Sequence, residues 1–403
     1  MKRVRLFFVF LIVAVSALAQ DYVPADSAMV DSLVPKEIIT QQPGVFSQLF
    51  KRENKFTRYL DGLIAGNEDH TFDKKMDINF IVMPSYTREG SFGIGGGATG
   101  LFRLDKSDRT MAPSDITLIG NVTLNGLVSI SAYGNNLFPG GRLRHSYKLE
   151  FTYSPLDFWG ISFFDCAENP RIDYTRQAFR WTNDLVYRLK GPIYLGVAFD
   201  LNYSYVKEIG DISYLNGQKT HYFFTTLGAT FQYDTRDFIP NPTKGRNLAM
   251  RFLLRPQVLS NHDRTLLGCV ITYNGYQRLW KGGMLACDIY GSYNSQETPW
   301  PLREALGSGG IRMRGYYAGR YIDNCMVSGQ VELRQHIYSR LGCAAWVGTG
   351  AVFSDYGNLG KENFLPNCGI GLRFEMKHNV NGRVDFGIGK GTSGFVFSIG
   401  EAF

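Results

Sequence analysis

The sequence predicts an all-β protein: a 16-stranded antiparallel transmembrane β-barrel, with a long extracellular loop folded into the lumen and a short periplasmic helix before the first strand. Three observations predict this fold. From about residue 76 to residue 403, apolar and polar side chains alternate, as in strands with two unlike faces. Many alternating runs reach about ten residues, the length of a tilted membrane-spanning strand rather than the ~5–6 residues of an ordinary one. Aromatic residues form 14% of the chain beside 45 glycines, which suits aromatic girdles and tight turns.

The chain begins with a segment typical of a secretory signal peptide, residues 1–19. Lys2, Arg3 and Arg5 form a basic start, and an apolar run leads to Ala-Leu-Ala before the expected cleavage site. That run is shorter than the roughly 20 residues of a membrane-spanning helix. Cleavage removes three of the seven net positive charges. The remaining excess of about four is too small for a nucleic-acid-binding surface, so no nucleic-acid partner is expected.

Residues 20–75 are predicted to be a separate periplasmic segment. Residues 20–40 are polar, contain two prolines and show no periodicity, which indicates a linker. Within residues 44–66 apolar side chains recur at helical spacing with basic side chains between them. This pattern predicts one amphipathic helix, which either packs on the next domain or lies at a membrane surface.

The alternation divides residues 76–403, the predicted outer-membrane barrel, into sixteen strands. In residues 193–205 every odd position is Ile, Leu, Val, Phe or Tyr, whereas most even positions are small or polar. Lipid offers no water to an open sheet edge, so such strands must close into a barrel. An even number of strands places both termini on the periplasmic side. The predicted strands span residues 77–85, 91–104, 114–124, 127–138, 142–154, 174–188, 192–207, 221–233, 246–257, 264–279, 284–293, 325–337, 342–353, 365–376, 382–389 and 394–403.

Motifs for catalysis or cofactor binding are weak. Residues 95–100 fit a dinucleotide-binding glycine pattern, but they lie inside alternating sequence rather than between a strand and a helix. The six histidines are scattered, and the six cysteines form no CxxC pair. We therefore expect no cofactor, no metal site and no enzymatic activity.

The longest connection, near residues 294–324, contains the stretch SGGIRMRGYYAGRY at 308–321. A loop of about thirty residues rarely stays ordered unless it folds onto something. Its glycines permit sharp turns, and a buried Arg314 would need an acidic or carbonyl partner. Glu332 and Asp355 are candidate partners on neighbouring strands. A solvated loop with idle arginines is the alternative.

The motif Ile-Arg-Met-Arg-Gly-Tyr at 311–316 resembles the (V/I)RG(F/Y) signature of the BamA/TamA superfamily, also called the bacterial surface antigen family. The turn YDTRDFIPNPTKGR, the Phe-x-Asp of Phe353 and Asp355, and the terminal Phe403 are similar to further elements of that family. The resemblance covers about residues 76–403. It implies a sixteen-stranded barrel in which Arg314 anchors the loop inside the lumen.

Carried onto this sequence, the resemblance implies three groups of site residues. The luminal loop motif is Gly309, Gly310, Arg312, Arg314, Gly315 and Tyr316. The strands that receive the motif carry Glu332, Phe353 and Asp355. A weak seam between the first and last strands, with a proline that removes a backbone donor, involves Phe80, Pro84, Phe395, Phe397 and Phe403.

The family usually carries periplasmic POTRA domains before the barrel, and residues 20–75 are too few for one, so a barrel-only member is expected. The resemblance implies a role in insertion, assembly or translocation of outer-membrane proteins or lipid. Location in the outer membrane of a Gram-negative bacterium, contact with outer-membrane lipid, client proteins and partner subunits follow from it. A passive channel for small solutes is an alternative, with luminal Arg188, Arg251, Arg255 and Arg334 favouring anions, and so is a structural or receptor subunit.

Overall fold

The computed structural model describes residues 71–87, 91–108, 111, 113–239, 241–307, 310–338, 340–377 and 380–403. The predicted signal peptide, the linker and the helix within 44–66 lie outside the described residues, and so does Gly309. The described residues also exclude the side chain of Pro84, whose backbone lies in the first strand. No helix in the described part of the chain is long and apolar enough to cross a membrane.

Sixteen long strands form one antiparallel sheet, and a two-stranded hairpin lies apart from it. The strands of the large sheet are β1 (Asp77–Thr87), β2 (Ser91–Phe102), β3 (Ser114–Thr123), β4 (Val128–Leu137), β5 (Leu143–Phe158), β6 (Ile172–Lys190), β7 (Ile193–Ile209), β8 (His221–Asp234), β9 (Gly245–Arg255), β10 (Leu266–Trp280), β11 (Gly283–Asn294), β14 (Cys325–Tyr338), β15 (Leu341–Phe353), β16 (Leu365–Lys377), β17 (Val380–Gly389) and β18 (Thr392–Ile399). The hairpin consists of β12 (Glu304–Ala305) and β13 (Ile322–Asp323), and a short helix α1 (Phe163–Glu168) follows β5.

Each strand of the large sheet pairs with its neighbours in chain order, and β11 pairs with β14 because the small hairpin belongs to the loop between them. The order begins at β1 and ends at β18. Cα atoms of β1 and β18 approach within 8 Å of each other, so the two ends of the sheet lie side by side. The prediction of sixteen antiparallel barrel strands is confirmed.

The two faces of the sheet differ as the alternation predicts. In β7, Leu195 and Val197 on the outer face are 46% and 60% exposed, whereas Tyr194 and Asp200 on the inner face are 2% and 7% exposed. A polar inner face and an apolar outer face suit a barrel whose wall contacts lipid. The inner face is where the charged side chains collect.

The two ends of the barrel are also unlike. One end, here called the turn end, has several tight turns, such as the two-residue connection at Gly191, which has φ +54°, and two longer connections, which follow β2 and β8. Longer connections close the other end, here called the loop end; they follow β5, β7, β9, β11 and β15. The chain terminus lies at the turn end, and the loop that carries the arginine motif starts from the loop end.

The last strand is shorter than predicted. β18 ends at Ile399 rather than at Phe403. Gly400 has φ +88°, in the left-handed region that a side chain disfavours, and this turns the backbone out of the sheet. The terminal residues 400–403, here called the C-terminal tail, therefore leave the wall.

Candidate functional site

Residues 295–324, here called the lumen loop, run from β11 back into the barrel and out to β14. The hairpin of β12 and β13 closes the base of the loop through the pair Glu304–Asp323. Beyond it the chain reverses through left-handed residues, Gly310 (φ +61°), Met313 (φ +52°) and Gly315 (φ +102°). The side chains at its tip are buried against the inner wall.

The side chain of Arg314 in the lumen loop is fully buried, with an exposure of 0%. Its Nη2 atom lies 2.6 Å from a Glu332 oxygen, and its Nη1 atom lies 2.8 Å from an Asp385 oxygen. The guanidinium also lies over the ring of Trp346, 3.6 Å from its centroid. A buried cation is tolerated when carboxylates and an aromatic face replace its lost water. These contacts fix the loop to β14, β15 and β17 at once.

The two carboxylates that hold Arg314 also bind further arginines from the wall. Glu332 accepts from Arg334 at 2.7 Å and lies 3.3 Å from Arg373. Asp385 accepts from Arg373 and from Arg383, each at 2.6 Å. Arg314 is therefore one member of a buried charge network that joins three strands.

Glycines on the loop and on β17 let the two backbones lie close together. A Cβ atom on Gly387 would lie 2.3 Å from the Arg314 carbonyl oxygen, and one on Gly315 would lie 2.5 Å from the Gly387 backbone. A Cβ atom on Gly389 would lie 2.3 Å from the ring of Tyr316. Glycine thus stands on both sides of the contact between the loop and β17, where no other residue fits without movement.

Tyr316, the residue after Gly315, also binds the lumen loop to the wall. Its hydroxyl donates to the Pro366 carbonyl at 2.7 Å and accepts from the Lys390 N–H at 2.8 Å. The Thr392 hydroxyl donates to the Gly315 carbonyl at 2.9 Å. The loop tip therefore also contacts β16, the turn before β18 and the start of β18.

Arg312 binds β11, the strand that pairs with β14. Its guanidinium donates two bonds to Asp288 of β11, at 2.7 and 2.8 Å, and lies 4.2 Å from the centroid of the Tyr290 ring. Gly310 accepts from Arg383 through its carbonyl at 2.9 Å. A bidentate arginine–carboxylate pair fixes orientation as well as distance. The loop is therefore held along one side of the wall, from β11 to β17.

The residues expected to receive the motif are only partly in place. Glu332 contacts Arg314, as described above. Asp355 does not: it lies past the end of β15, where its Oδ1 accepts from the backbone N–H of Gly357 at 2.7 Å. Phe353 is buried against Tyr356, with ring centroids 5.0 Å apart. The expected role of Asp355 is corrected, because Asp385 occupies that position beside Arg314.

The seam between β1 and β18 is the other candidate functional feature. β1 pairs with β2 from Asp77 to Thr87, and β18 pairs with β17, but the hydrogen-bonded order of the described strands does not join β18 to β1. Phe80 and Phe395 lie on the outer face and are 64% and 44% exposed. Phe397 lies two residues on, its ring 6.4 Å from that of Phe395.

Comparison with known proteins decides the fold family. Three solved structures are similar to this chain over 81% of its length. BamA from Haemophilus ducreyi lacking POTRA domains 1–3 matches with a TM-score of 0.50, 14% identity and 70% of its own chain covered. CdiB from Acinetobacter baumannii matches with a TM-score of 0.52 and 14% identity, and 60% of its own chain is covered. CdiB from Escherichia coli matches with a TM-score of 0.52 and 12% identity, and 62% of its own chain is covered.

The chain folds as a BamA-type barrel. No protein-family profile and no curated protein sequence matches it. At 12–14% identity, the similarity establishes the architecture of the BamA-type barrel. The match spans less than two thirds of each CdiB chain.

In this BamA-type barrel the C-terminal tail turns into the lumen at the turn end. Glu401 lies 2.9 Å from Arg373 and 3.4 Å from Arg334. Arg334 also donates to the Phe403 carbonyl at 2.9 Å. The prediction that Phe403 belongs to the last strand is therefore wrong: its ring packs beside Tyr276, Met284 and Ala286, residues of β10 and β11.

The loop end is closed by an apolar cluster. Phe158, Ile161, Cys166 and Trp300 are each at most 3% exposed there. Burial raises the pKa of the Cys166 thiol to about 12. This cluster covers the base of the lumen loop and buries it.

The backbone N–H of α1 adds a polar bond to this cap. Asp323 of the hairpin accepts from the Phe163 N–H at 3.1 Å. Desolvation by burial raises the pKa of the Asp323 carboxyl. The cap therefore joins α1 to the hairpin at the base of the lumen loop.

Asp385, Trp346 and Glu401 are the site residues that sequence reasoning missed. One signal was present: in β17, Arg383, Asp385, Gly387 and Gly389 occupy alternate positions, so they share a face. Among the described residues, no group of three or more His, Cys, Asp or Glu side chains is arranged to hold a metal ion.

Proposed function

We propose that this chain is an outer-membrane barrel that assists the insertion, assembly or translocation of outer-membrane proteins or lipid, together with partner subunits. The BamA-type fold and the arginine-anchored lumen loop support this proposal. The role is non-catalytic: the barrel acts through its shape and its strand edges.

The observation that carries the proposal is the seam. β18 has 8 residues and faces β1, which has 11, and the C-terminal tail turns away into the lumen. A strand edge without a full ladder partner leaves N–H and C=O groups that another strand can bind. In lipid such groups must be satisfied, so an incoming client strand that adds to the edge is stabilised.

A disulfide across the seam tests the proposal. The six native cysteines are first replaced by alanine, and Phe80→Cys is combined with Phe397→Cys, because both side chains lie on the outer face. We expect the oxidised protein to lose outer-membrane protein assembly and growth support in its native bacterium, and the reduced protein to regain both.

The matched control places cysteines on β17 and β18, at Val384→Cys and Phe397→Cys, which are directly opposite in an existing ladder. Locking that ladder leaves the seam free, so function persists in the oxidised state. Full function with the β1–β18 disulfide formed would show that the seam does not need to open.

A passive channel is the second candidate, because arginines line a luminal cavity of about 440 Å³. Arg251 and Arg334, however, are paired with carboxylates at 2.9 and 2.7 Å. Conductance in planar bilayers separates the two functions. A steady, anion-selective current supports a channel, whereas small and erratic currents support a barrel that the lumen loop obstructs.

A further inference from the structure

A second luminal site lies between the lumen loop and the wall opposite the seam, in the cavity of about 440 Å³. Here it is called the basic cavity. Two carboxylates line it, Asp200 and Glu304. The arginines that line it are Arg176, Arg180, Arg251, Arg255, Arg303 and Arg312.

Three of these arginines are satisfied within the protein. Arg251 pairs with Asp184 at 2.9 Å and with Asp200 at 2.8 Å. Arg312 pairs with Asp288, and Arg303 donates to the backbone carbonyl of Ile161 at 2.6 Å. Their charge or hydrogen-bonding capacity is already used by the fold.

The other three have neutral partners only. Arg176 donates to the Ser204 hydroxyl at 2.9 Å, and Arg180 donates to the Asn202 side-chain oxygen at 3.1 Å. Arg255 donates to the Asn294 side-chain oxygen at 3.1 Å. Within the described part of the chain, no carboxylate lies within 4.0 Å of any of the three guanidinium groups. Each group offers five N–H donors and uses few of them.

Arg255 is the clearest case of a buried arginine without an acidic partner. It is 7% exposed, and its buried Nε atom has no hydrogen-bond partner among the described residues. Burying a cation without a counterion is costly. A fold that keeps such a group beside two more unpaired arginines is suited to receive an anion.

The nearby acids are engaged elsewhere. Glu150 lies directly opposite Arg180 on β5, yet it is paired with Lys148 at 3.0 Å. Glu304 accepts from the Tyr290 hydroxyl at 3.0 Å. Arg176 is steadied by the ring of Trp300, 5.0 Å from its centroid. The direct contacts of Arg176 and Arg180 are therefore with neutral and aromatic groups, while Glu150 acts on both from a longer distance and balances only part of their charge.

We propose that the basic cavity binds a phosphoryl group, through Arg176, Arg180 and Arg255. A phosphate monoester carries about −1.5 to −2 charge and three strong acceptor oxygens. It balances three unpaired guanidinium groups better than a carboxylate with one charge and two oxygens, and the arginine fork matches its geometry. This site is separate from the seam, and it holds whether or not the seam opens.

The phosphoryl group comes either from a soluble phosphate or from a lipid headgroup, and the experiment distinguishes the two. Purified full-length protein in phosphate-free detergent is titrated with inorganic phosphate by calorimetry, with acetate as the carboxylate comparison. In parallel, the protein is placed in nanodiscs of phosphatidylcholine with and without phosphatidic acid, and the melting temperature of the folded gel band is measured.

The variant R176Q/R180Q removes two of the three arginines. R188Q is the matched control, since Arg188 lies on the same face of β6 at the turn end, where it donates to the Tyr194 hydroxyl at 3.1 Å. We expect saturable phosphate binding that is about tenfold or more weaker in R176Q/R180Q, a loss of about 1.4 kcal/mol or more, and unchanged in R188Q.

Binding of inorganic phosphate indicates a soluble ligand. Stabilisation by phosphatidic acid alone, lost in R176Q/R180Q, indicates a headgroup, and both outcomes support the site. The proposal is overturned if wild-type protein responds to neither probe, if acetate binds as tightly as phosphate, or if R176Q/R180Q binds like wild type. If the double variant fails to fold, the wild-type titrations with phosphate and acetate still test whether the protein binds a phosphoryl group.

Discussion

At the scale of single residues, Arg314 determines where the lumen loop lies. Its guanidinium contacts Glu332 and Asp385, and Trp346 covers one face. Two wall arginines would still neutralise each carboxylate if Arg314 were absent, so the carboxylates alone do not require the loop. The loop requires them, because a buried arginine cannot lose its proton.

Replacing Arg314 with alanine should therefore destabilise the folded barrel. The variant loses two hydrogen bonds to carboxylates and the contact with Trp346, and a hydrogen bond to a charged group contributes about 1.5–3 kcal/mol. We expect a lower melting temperature of the heat-modifiable folded band on gels. Arg264→Ala is the control, since its side chain is 67% exposed in its pair with Glu297, and exposed pairs contribute little. Equal melting temperatures for Arg314→Ala and wild type would mean that the loop is merely solvated.

Gly387 tests the contact between the loop and β17 from the wall side. Gly387→Ala places a methyl group where the Arg314 carbonyl lies, at 2.3 Å, so loop or strand must move. Overpacking of this kind costs about 1–3 kcal/mol, and the folded band should melt at a lower temperature. Gly329→Ala on β14 is the control, because a Cβ there meets nothing within 4 Å. If both alanine variants melted alike, the close backbone approach would be disproved.

At the scale of elements, the C-terminal tail depends on Glu401. Glu401→Gln removes the charge that contacts Arg373 at 2.9 Å, so the tail should leave the lumen more often. The reporter is Ala402→Cys in a background without the native cysteines, since Ala402 is 3% exposed.

We expect slow maleimide labelling of that cysteine in the parent and faster labelling with Glu401→Gln. Glu168→Gln, in α1 at the loop end, should leave the rate unchanged. Rapid labelling in the parent itself would show that the tail is not bound in the lumen.

The strands could be predicted from the sequence, because lipid outside and charge inside give alternate residues opposite character. The end of β18 could not, since Gly400 interrupts the sheet through its backbone conformation, which a pattern of side chains does not encode. The runs from β5 to β7 exceed the predicted lengths by a few residues at the loop end, where strands extend into the apolar cap.

The candidate site was predictable in part. Arg314 and Glu332 stand out because the stretch 308–321 contains no carboxylate, so a buried arginine there needs an acid on a neighbouring polar face. Asp355 is the acid that a neighbouring strand and the Phe-x-Asp resemblance indicate, and Asp385 has neither signal. Only the pairing of β14 through β17 into one curved wall brings Asp385 against the loop, 71 residues from Arg314. Register between distant strands is not visible in local spacing.

At the scale of the whole molecule, the barrel separates two regions. Its lumen loop is bound from β11 through β14, β15 and β16 to β17 and β18, and it anchors the wall next to the seam. The basic cavity lies on the other side of the lumen, against β6, β7 and β9. In the proposed opening of the seam, β1 would separate from β18 while the lumen loop keeps the last strands together.

The account depends on the lumen loop lying inside the barrel, and a cross-link measures this most directly. The Met313 Cγ atom, whose place a cysteine sulfur would take, lies 3.1 Å from the position of a Cβ on Gly350, so cysteines at Met313→Cys and Gly350→Cys are close enough for a disulfide. In outer membranes, with the native cysteines replaced, we predict nearly complete disulfide formation under mild oxidation, and none for Met313→Cys with Thr243→Cys at the turn end. No cross-link between positions 313 and 350, with ready labelling of position 313 by a bulky maleimide from outside, would contradict the account.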